Sequence, residues 1–432
     1  MCSSDLYSGN LIFYDMYENP FDPDTLINLA WIETSGPSVY RSTGYHVDAF
    51  LQDVYKPIEN LTFRYGLRYD RAVHRNDAGE PVVDVGVFGP RIYAIWDPWA
   101  NEKTKIYGGY GRFNDTGRME VGSYLSQSNM GEKVMYGEIY GHSTSEAGAS
   151  GYDVGTANTI TVLDGITAPH SDEFTLAAER EVITDVALGV SFTGKFTRNV
   201  YNFDETNLIV DEDGYAYIGS GDGTLNGQYR LRTPALAVRD FYQTDITLHR
   251  NLAARWEAYA TYSYVVSKGR TQSGLSTVFA NPAQLELWYG NLPYDIRHQV
   301  KAAGYWDLPD DPWTTTIGFS TQFFSGMPFS RFYYSAADSV QSGGDSYGLL
   351  KQARGTYGRA GPQWELDLRV EQDIDVRKGK LSAVAQVFNV TNNQDPYYLY
   401  DNYQYYIDSQ NRYIIAYRQD KISAELGVKY EF

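Results

Sequence analysis

His170, Ser171 and Asp172 stand side by side and carry the three side-chain types of a base, nucleophile and acid set. In an extended chain successive side chains alternate faces, so Ser171 points away from His170 and Asp172 and the set does not converge. No other acid, base and nucleophile converge from the strands, and no enzymatic activity is expected. His46, His74, His142, His249 and His298 lack metal-ligand spacing, and Cys2 is the single cysteine, which excludes a zinc-thiolate site and a disulfide framework. No catalytic residue, cofactor or resident metal is expected. DEDG (211–214) and GSGDG (219–223) offer carboxylates to a cation such as Ca²⁺. Asp-Gly between Leu208–Val210 and Tyr215–Ile218 also makes a hairpin turn, which is the favoured reading.

The elements that carry these residues are strands. Helical periodicity is nearly absent and period-2 alternation is nearly everywhere. In 62–69, Phe63, Tyr65, Leu67 and Tyr69 share one face, against Thr62, Arg64, Gly66 and Arg68. In 365–376, Leu366, Leu368, Val370, Ile374 and Val376 oppose Glu365, Asp367, Arg369, Glu371, Asp373 and Asp375. The spacing predicts strands at 25–33, 43–56, 60–71, 87–97, 103–113, 170–181, 185–199, 239–250, 254–268, 295–307, 313–326, 363–376, 380–392 and 420–432, with a weaker one at 7–16. Strands of soluble proteins average about 5–6 residues, whereas a tilted bilayer-crossing strand takes about 9–11. Tight links (57–60, 98–102, 182–184, 251–253, 309–312, 377–379) alternate with long polar ones (72–86, 114–169, 200–238, 269–294, 327–362, 393–419). That alternation is the pattern of a transmembrane antiparallel β-barrel with short periplasmic turns and long extracellular loops.

Composition agrees. The 432 residues hold 36 Lys and Arg against 54 Asp and Glu, a net charge of −18 that disfavours nucleic acid. Mean hydropathy is −0.43, yet 39 residues are Tyr. Tyr55, Tyr65, Tyr69, Tyr107, Tyr110, Tyr201, Tyr262, Tyr264, Tyr305 and Tyr430 are expected at strand ends, where an amphipathic ring suits the bilayer interface. Tyr397, Tyr398, Tyr400, Tyr403, Tyr405 and Tyr406 read as an aromatic strand extension above the membrane, with direct ligand contact as the alternative. The charges of 365–375 are expected to face a lumen, solvated by water or paired within it. No run approaches the roughly 18–20 apolar residues of a spanning helix.

VDAFLQDVYKPIENLTFRYGLRYD (47–70), GPRIYAIWDP (89–98), KIYGGYGRF (105–113), PYDIRHQVKAAGYWDLP (293–309) and QVFNVTNN (386–393) together resemble the barrel of TonB-dependent outer-membrane receptors, most closely the Oar-like group. Glu425, Gly427, Tyr430 and Phe432 are similar to the terminal signature by which the barrel-assembly machinery takes up such proteins. The resemblance implies a Gram-negative outer membrane, lipid as solvent, a monomeric barrel and a 22-stranded wall, of which about fourteen or fifteen strands are counted here. It also implies a TonB complex acting through a plug domain. Met1–Leu6 has no basic or apolar leader region, and neither plug nor TonB box is recognised. Residues 1–24 are thus expected to be a non-native or partial segment with a weak strand, and 25–432 the C-terminal part of a barrel whose plug is absent. The implied function is uptake of a scarce solute captured by the extracellular loops. A passive porin-like or hydrophobic-solute channel of about fourteen strands is the alternative, and a loop-based outer-membrane enzyme or adhesin is a third reading.

Overall fold

The computed structural model describes residues 42–76, 79–116, 166–205, 228–253, 255–271, 285–308, 313–330, 352–399 and 415–432, with short strands inside the remaining stretches. Among the described residues every regular element is a strand. Thirteen long strands pair in chain order as one antiparallel meander: β1 (Thr43–Ile58), β2 (Leu61–Arg75), β3 (Pro81–Trp96), β4 (Thr104–Asn114), β5 (His170–Ile183), β6 (Val186–Arg198), β7 (Arg239–Ala253), β8 (Trp256–Gly269), β9 (His298–Asp307), β10 (Thr315–Phe324), β11 (Gln363–Val376), β12 (Gly379–Phe388) and β13 (Ser423–Glu431). Gly290–Asn291 adds a two-residue rung to the end of β8, which makes the sheet fourteen-stranded. Among the described residues β1 pairs only with β2 and β13 only with β12.

Register keeps like with like. Ile246 of β7 lies opposite Val190 of β6 and Tyr262 of β8, and Tyr262 opposite Val300 of β9. Farther on, Phe319 of β10 opposes Leu368 of β11, which opposes Val387 of β12. This apolar face is open: Leu51 is 79% exposed, Leu426 87% and Val428 76%. On the other face Ser191 opposes Asp245, and Asp245 opposes Ser263. Both serine hydroxyls donate to that carboxylate, at 3.2 and 2.5 Å. A one-residue slip would exchange the two faces entirely, so two chemically different surroundings hold the register.

The apolar face has upper and lower limits. On the tight-turn side Trp96, Trp256 and Trp306 stand exposed on it, and the Arg250 guanidinium lies 3.5 Å from the Trp256 ring centre. On the other side it ends in charge, with Arg112 bidentate on Asp172 at 2.7 Å for both bonds and Arg198 on Asp240 at 2.7 Å. The ten-residue rise between Asp240 and Arg250, at ~3.3 Å per residue and a tilt of ~40°, gives a band of about 25 Å, the height of an outer-membrane barrel's apolar belt.

The tight links at 57–60, 98–102, 182–184 and 377–379 fall close to where the spacing predicts, 251–253 is taken up by the end of β7, and 309–312 lies outside the described residues. Asp185 closes the Thr184–Asp185 turn with a positive φ of 64°, a conformation that Asp tolerates better than most residues. Two expectations fail. The link at 72–86 is not a long loop: β2 and β3 continue to a short turn in which the Asn76 and Glu80 backbones and side chains bond one another. Val83 and Val85 sit there on the face that is polar lower down, so the alternation inverts and hides the strands from the sequence. Segment 25–33 is likewise not one long strand. Asp22–Asn28 pairs with Met16–Asn19, and Trp31–Ser35 joins Asn10–Leu11 and Glu132–Tyr136 in a small separate sheet. Its residues are apolar on both parities (Leu26 and Ile32 against Ile27 and Trp31), which gives it no polar face to present.

Val370→Arg, in the middle of the apolar face, is expected to cost about 2–4 kcal/mol. Glu371→Gln, one residue along on the polar face, breaks an exposed pair and is expected to cost under about 1 kcal/mol. Urea unfolding in lipid vesicles separates them; equal losses would contradict the assignment of the faces.

Candidate functional site

The polar face is mostly self-neutralised. Lys105 pairs with Glu179 at 3.2 Å, Arg68 with Asp48 at 3.1 Å and Asp70 at 2.6 Å, and Lys195 with Glu173. On β11, Arg369 holds Glu371 at 2.7 Å, Lys380 holds Asp373 at 2.5 Å, Ser320 donates to Asp367 at 3.0 Å and Gln322 to Glu365 at 2.9 Å. The acidic row of 365–373 is thus paired largely from within the sheet, while Asp375 stands exposed.

One region of this face is hollow. Register places Gln52, Gly66, Arg91, Gly111 and Glu173 in one row across β1 to β5, with Val54, Arg64, Tyr93, Gly109 and Thr175 in the next. Three glycines leave a cavity of about 460 Å³ walled by Arg64, Arg91, Tyr93 and Phe113. A Cβ on Gly109 would stand 2.5 Å from the Ile92 carbonyl oxygen, so only glycine fits there. The Arg91 guanidinium lies over the Phe113 ring at 4.6 Å. The arrangement suits recognition of an anion, because guanidinium forks match carboxylate geometry.

The long-loop end is closed in two places. Ala72, Val82, Val83 and Val85 from the ends of β2 and β3 bury Ala168, Tyr201 and Leu231 from the connections after β4 and β6. Farther round, Asp295 is 0% exposed and ties three segments together. It accepts from the Ser267 N–H at 2.7 Å and from Arg297 at 2.7 Å, and it pairs with the Arg359 guanidinium. Its own carbonyl accepts from Arg359 Nη1 at 2.6 Å. Arg297 is half-buried, which opposes its charge, but its bonds to Asp295 and Tyr264 outweigh this and hold its pKa above the ordinary guanidinium value. Gly326 permits the approach, since a Cβ there would collide with the Ala360 carbonyl oxygen.

The residues singled out from sequence fall as follows. His170 and Asp172 share a face, 3.9 Å apart, while Ser171 is buried on the other, and Asp172 is committed to Arg112 and Tyr110. Leu208–Val210 and Ala216–Ile218 pair as the hairpin, and the carboxylates of 211–213 and 222 lie outside the described residues, as do His142 and Tyr400–Tyr406. Pro396–Leu399 pairs with Ile415–Arg418 beyond the large sheet. Tyr65, Tyr110, Tyr262, Tyr264 and Tyr430 are exposed on the apolar face. Tyr107 and Tyr305 are not on that face: their hydroxyls donate to Glu179 and Glu257 on the polar side, and Tyr201 is buried in the upper cluster. Glu425 and Gly427 face the polar side, and the Tyr430 and Phe432 rings stack at 6.2 Å. His298 hydrogen-bonds Tyr262 at 2.9 Å. His46 and His74, 28 residues apart, meet Nε2 to Nε2 at 2.9 Å with their rings stacked, a contact no spacing reveals. Among the described residues no three His, Cys, Asp or Glu side chains are grouped to hold a metal.

Residues 79–333 match the family model described as an outer membrane beta barrel domain. The TonB-dependent transporter Oar of Myxococcus xanthus is 24% identical over 406 residues, which cover 84% of this chain and 37% of the relative. The FrpB iron transporter of Neisseria meningitidis superposes with a TM-score of 0.54 at 12% identity, over 90% of this chain and 46% of that one. The ferripyoverdine receptor of the Pseudomonas aeruginosa outer membrane does so with a TM-score of 0.53 at 9% identity, over 91% and 39%. The structural likenesses establish the fold, and the chain spans under half the length of each of these relatives.

Asp295→Ala would leave two guanidiniums without their shared carboxylate and is expected to cost about 3–5 kcal/mol locally. Limited proteolysis is expected to cut within 326–362 at least tenfold faster in this variant; an unchanged rate would show that the three segments are held otherwise.

Proposed function

The chain belongs to the outer membrane beta barrel domain family, and on that premise we propose that it is barrel wall of a TonB-dependent receptor that takes up a scarce solute captured by its extracellular loops. It is a protein of the bacterial outer membrane. The observation that carries the receptor reading is the pairing of a two-solvent sheet, banded to about 25 Å, with long connections gathered at one end and anchored there by Asp295 and the Tyr201 cluster. Similarity to a transporter named as TonB-dependent supports the coupling. In this reading the large sheet from Thr43 onward is the C-terminal part of a monomeric barrel in outer-membrane lipid. A plug domain meets the TonB complex, and no enzymatic activity is involved. Glu425, Gly427, Tyr430 and Phe432 form the segment offered to the barrel-assembly machinery: they lie on β13, whose outer edge is unpaired among the described residues.

Two measurements test this. Replacing Tyr430 and Phe432 by Ser is expected to lower the outer-membrane fraction of the protein severalfold in a cell fractionation, and an unchanged fraction would remove the assembly role. In planar bilayers the purified chain is expected to give no stable, uniform single-channel current. Such a current would replace the receptor reading with a passive channel.

A further inference from the structure

We infer that the hollow across β1 to β5 is a binding site for a small planar organic dianion, of the aromatic dicarboxylate class. The charge inventory is the first argument. Arg68, Lys105, Lys195, Arg369, Lys380 and Lys429 on the same face each hold a carboxylate. Among the described residues Arg64 and Arg91 hold none, and neither does Lys301, which lies over the Phe324 ring at 5.5 Å; of the three, Arg64 and Arg91 stand together in the wall of the hollow, although the chain carries a net charge of −18. Two acids border the hollow and both are committed elsewhere: Glu173 to Lys195, and Asp53 to the Tyr65 hydroxyl at 3.0 Å and the Val54 N–H at 2.8 Å.

The second argument is shape. Arg64 sits opposite Tyr93 and Arg91 opposite Gly66, so the two arginines hold diagonal positions on one face and both line the hollow. Two like charges that line one hollow repel each other until a counter-charge arrives, and two carboxylates can engage both forks. The glycines at 66, 109 and 111 clear about 460 Å³, within the size range of small-molecule pockets. Tyr93 and Phe113 add flat apolar surface, and Phe113 already carries the Arg91 guanidinium at 4.6 Å. The ligand that completes this surrounding has negative charge at its edge and a planar body. An acidic protein side chain supplies the same carboxylate without the body. The site is built from β1 to β5 alone, so the inference stands apart from the transport reading.

Isothermal titration of the full chain in detergent micelles tests it, with benzene-1,3-dicarboxylate as the probe. Saturable 1:1 binding is expected, weakening as salt is raised. Arg64→Gln and Arg91→Gln are each expected to weaken it about tenfold or more, since each removes charge-assisted hydrogen bonds. The double variant is expected to abolish it, and Arg369→Gln to leave it unchanged. Retained heat-modifiable gel mobility certifies that each variant is folded. Absence of saturable heat, or equal binding by the folded double variant, would overturn the site. Equal affinity for the uncharged diamide, or for glutarate with the same charge and no ring, would overturn the ligand class.

Discussion

The backbone hydrogen-bond ladder is the constraint on which everything else rests. Hydrocarbon offers no partner to an N–H or C=O group, so a strand within it must close every rung against a neighbouring strand. The continuous registers meet that demand on both sides of β2 through β12, while the outer edges of β1 and β13 are unpaired among the described residues. Once the ladder is set, side-chain parity is set with it, and each strand must satisfy lipid with one parity and water with the other. The exposure of Leu368 and Val370 on one side, and the pairing of Arg369 with Glu371 on the other, are two results of one register.

Where the strands leave the apolar band, the rule reverses. On β2 and β3 the outer parity becomes charged, with Arg71 paired to Asp84 at 3.1 Å, while the inner parity becomes apolar at Ala72, Val83 and Val85. Water now lies outside and folded loop segments inside. The buried Asp295 performs a related task with charge: it gathers the backbone beyond β8 and the arginines of two other segments at one point. A desolvated carboxylate is costly unless fully bonded, which makes this junction specific in geometry as well as cohesive. The long-loop end therefore has anchors of both kinds close to the sheet.

Much of this was legible in the chain itself, because period 2 and link length are local properties. All thirteen long strands coincide with predicted ones, and so do the tight links at 57–60, 98–102, 182–184 and 377–379. The misreadings share a cause. Segment 72–86 reads as loop because its pattern inverts above the band, and Tyr107 and Tyr305 read as interface rings because a tyrosine hydroxyl serves an inner carboxylate as well as an interface. Parity along each strand places both rings inside. The Arg64 and Arg91 hollow and the His46–His74 contact were invisible for another reason: both depend on cross-strand register, which joins residues tens of positions apart. The GGYG run at 108–111 was the one local sign of the hollow, since two of its glycines share the inner parity.

The division of the sheet between two solvents is tested most directly by single cysteines along β11, from position 364 to 376, in a Cys2→Ser background. In lipid vesicles, cysteines at 365, 367, 369, 371 and 373 are predicted to react with a water-soluble maleimide. Those at 366, 368, 370 and 374 are predicted to resist it and, carrying a fluorophore, to be quenched by brominated lipid. Equal labelling of both parities, or quenching on the acidic parity, would contradict the account.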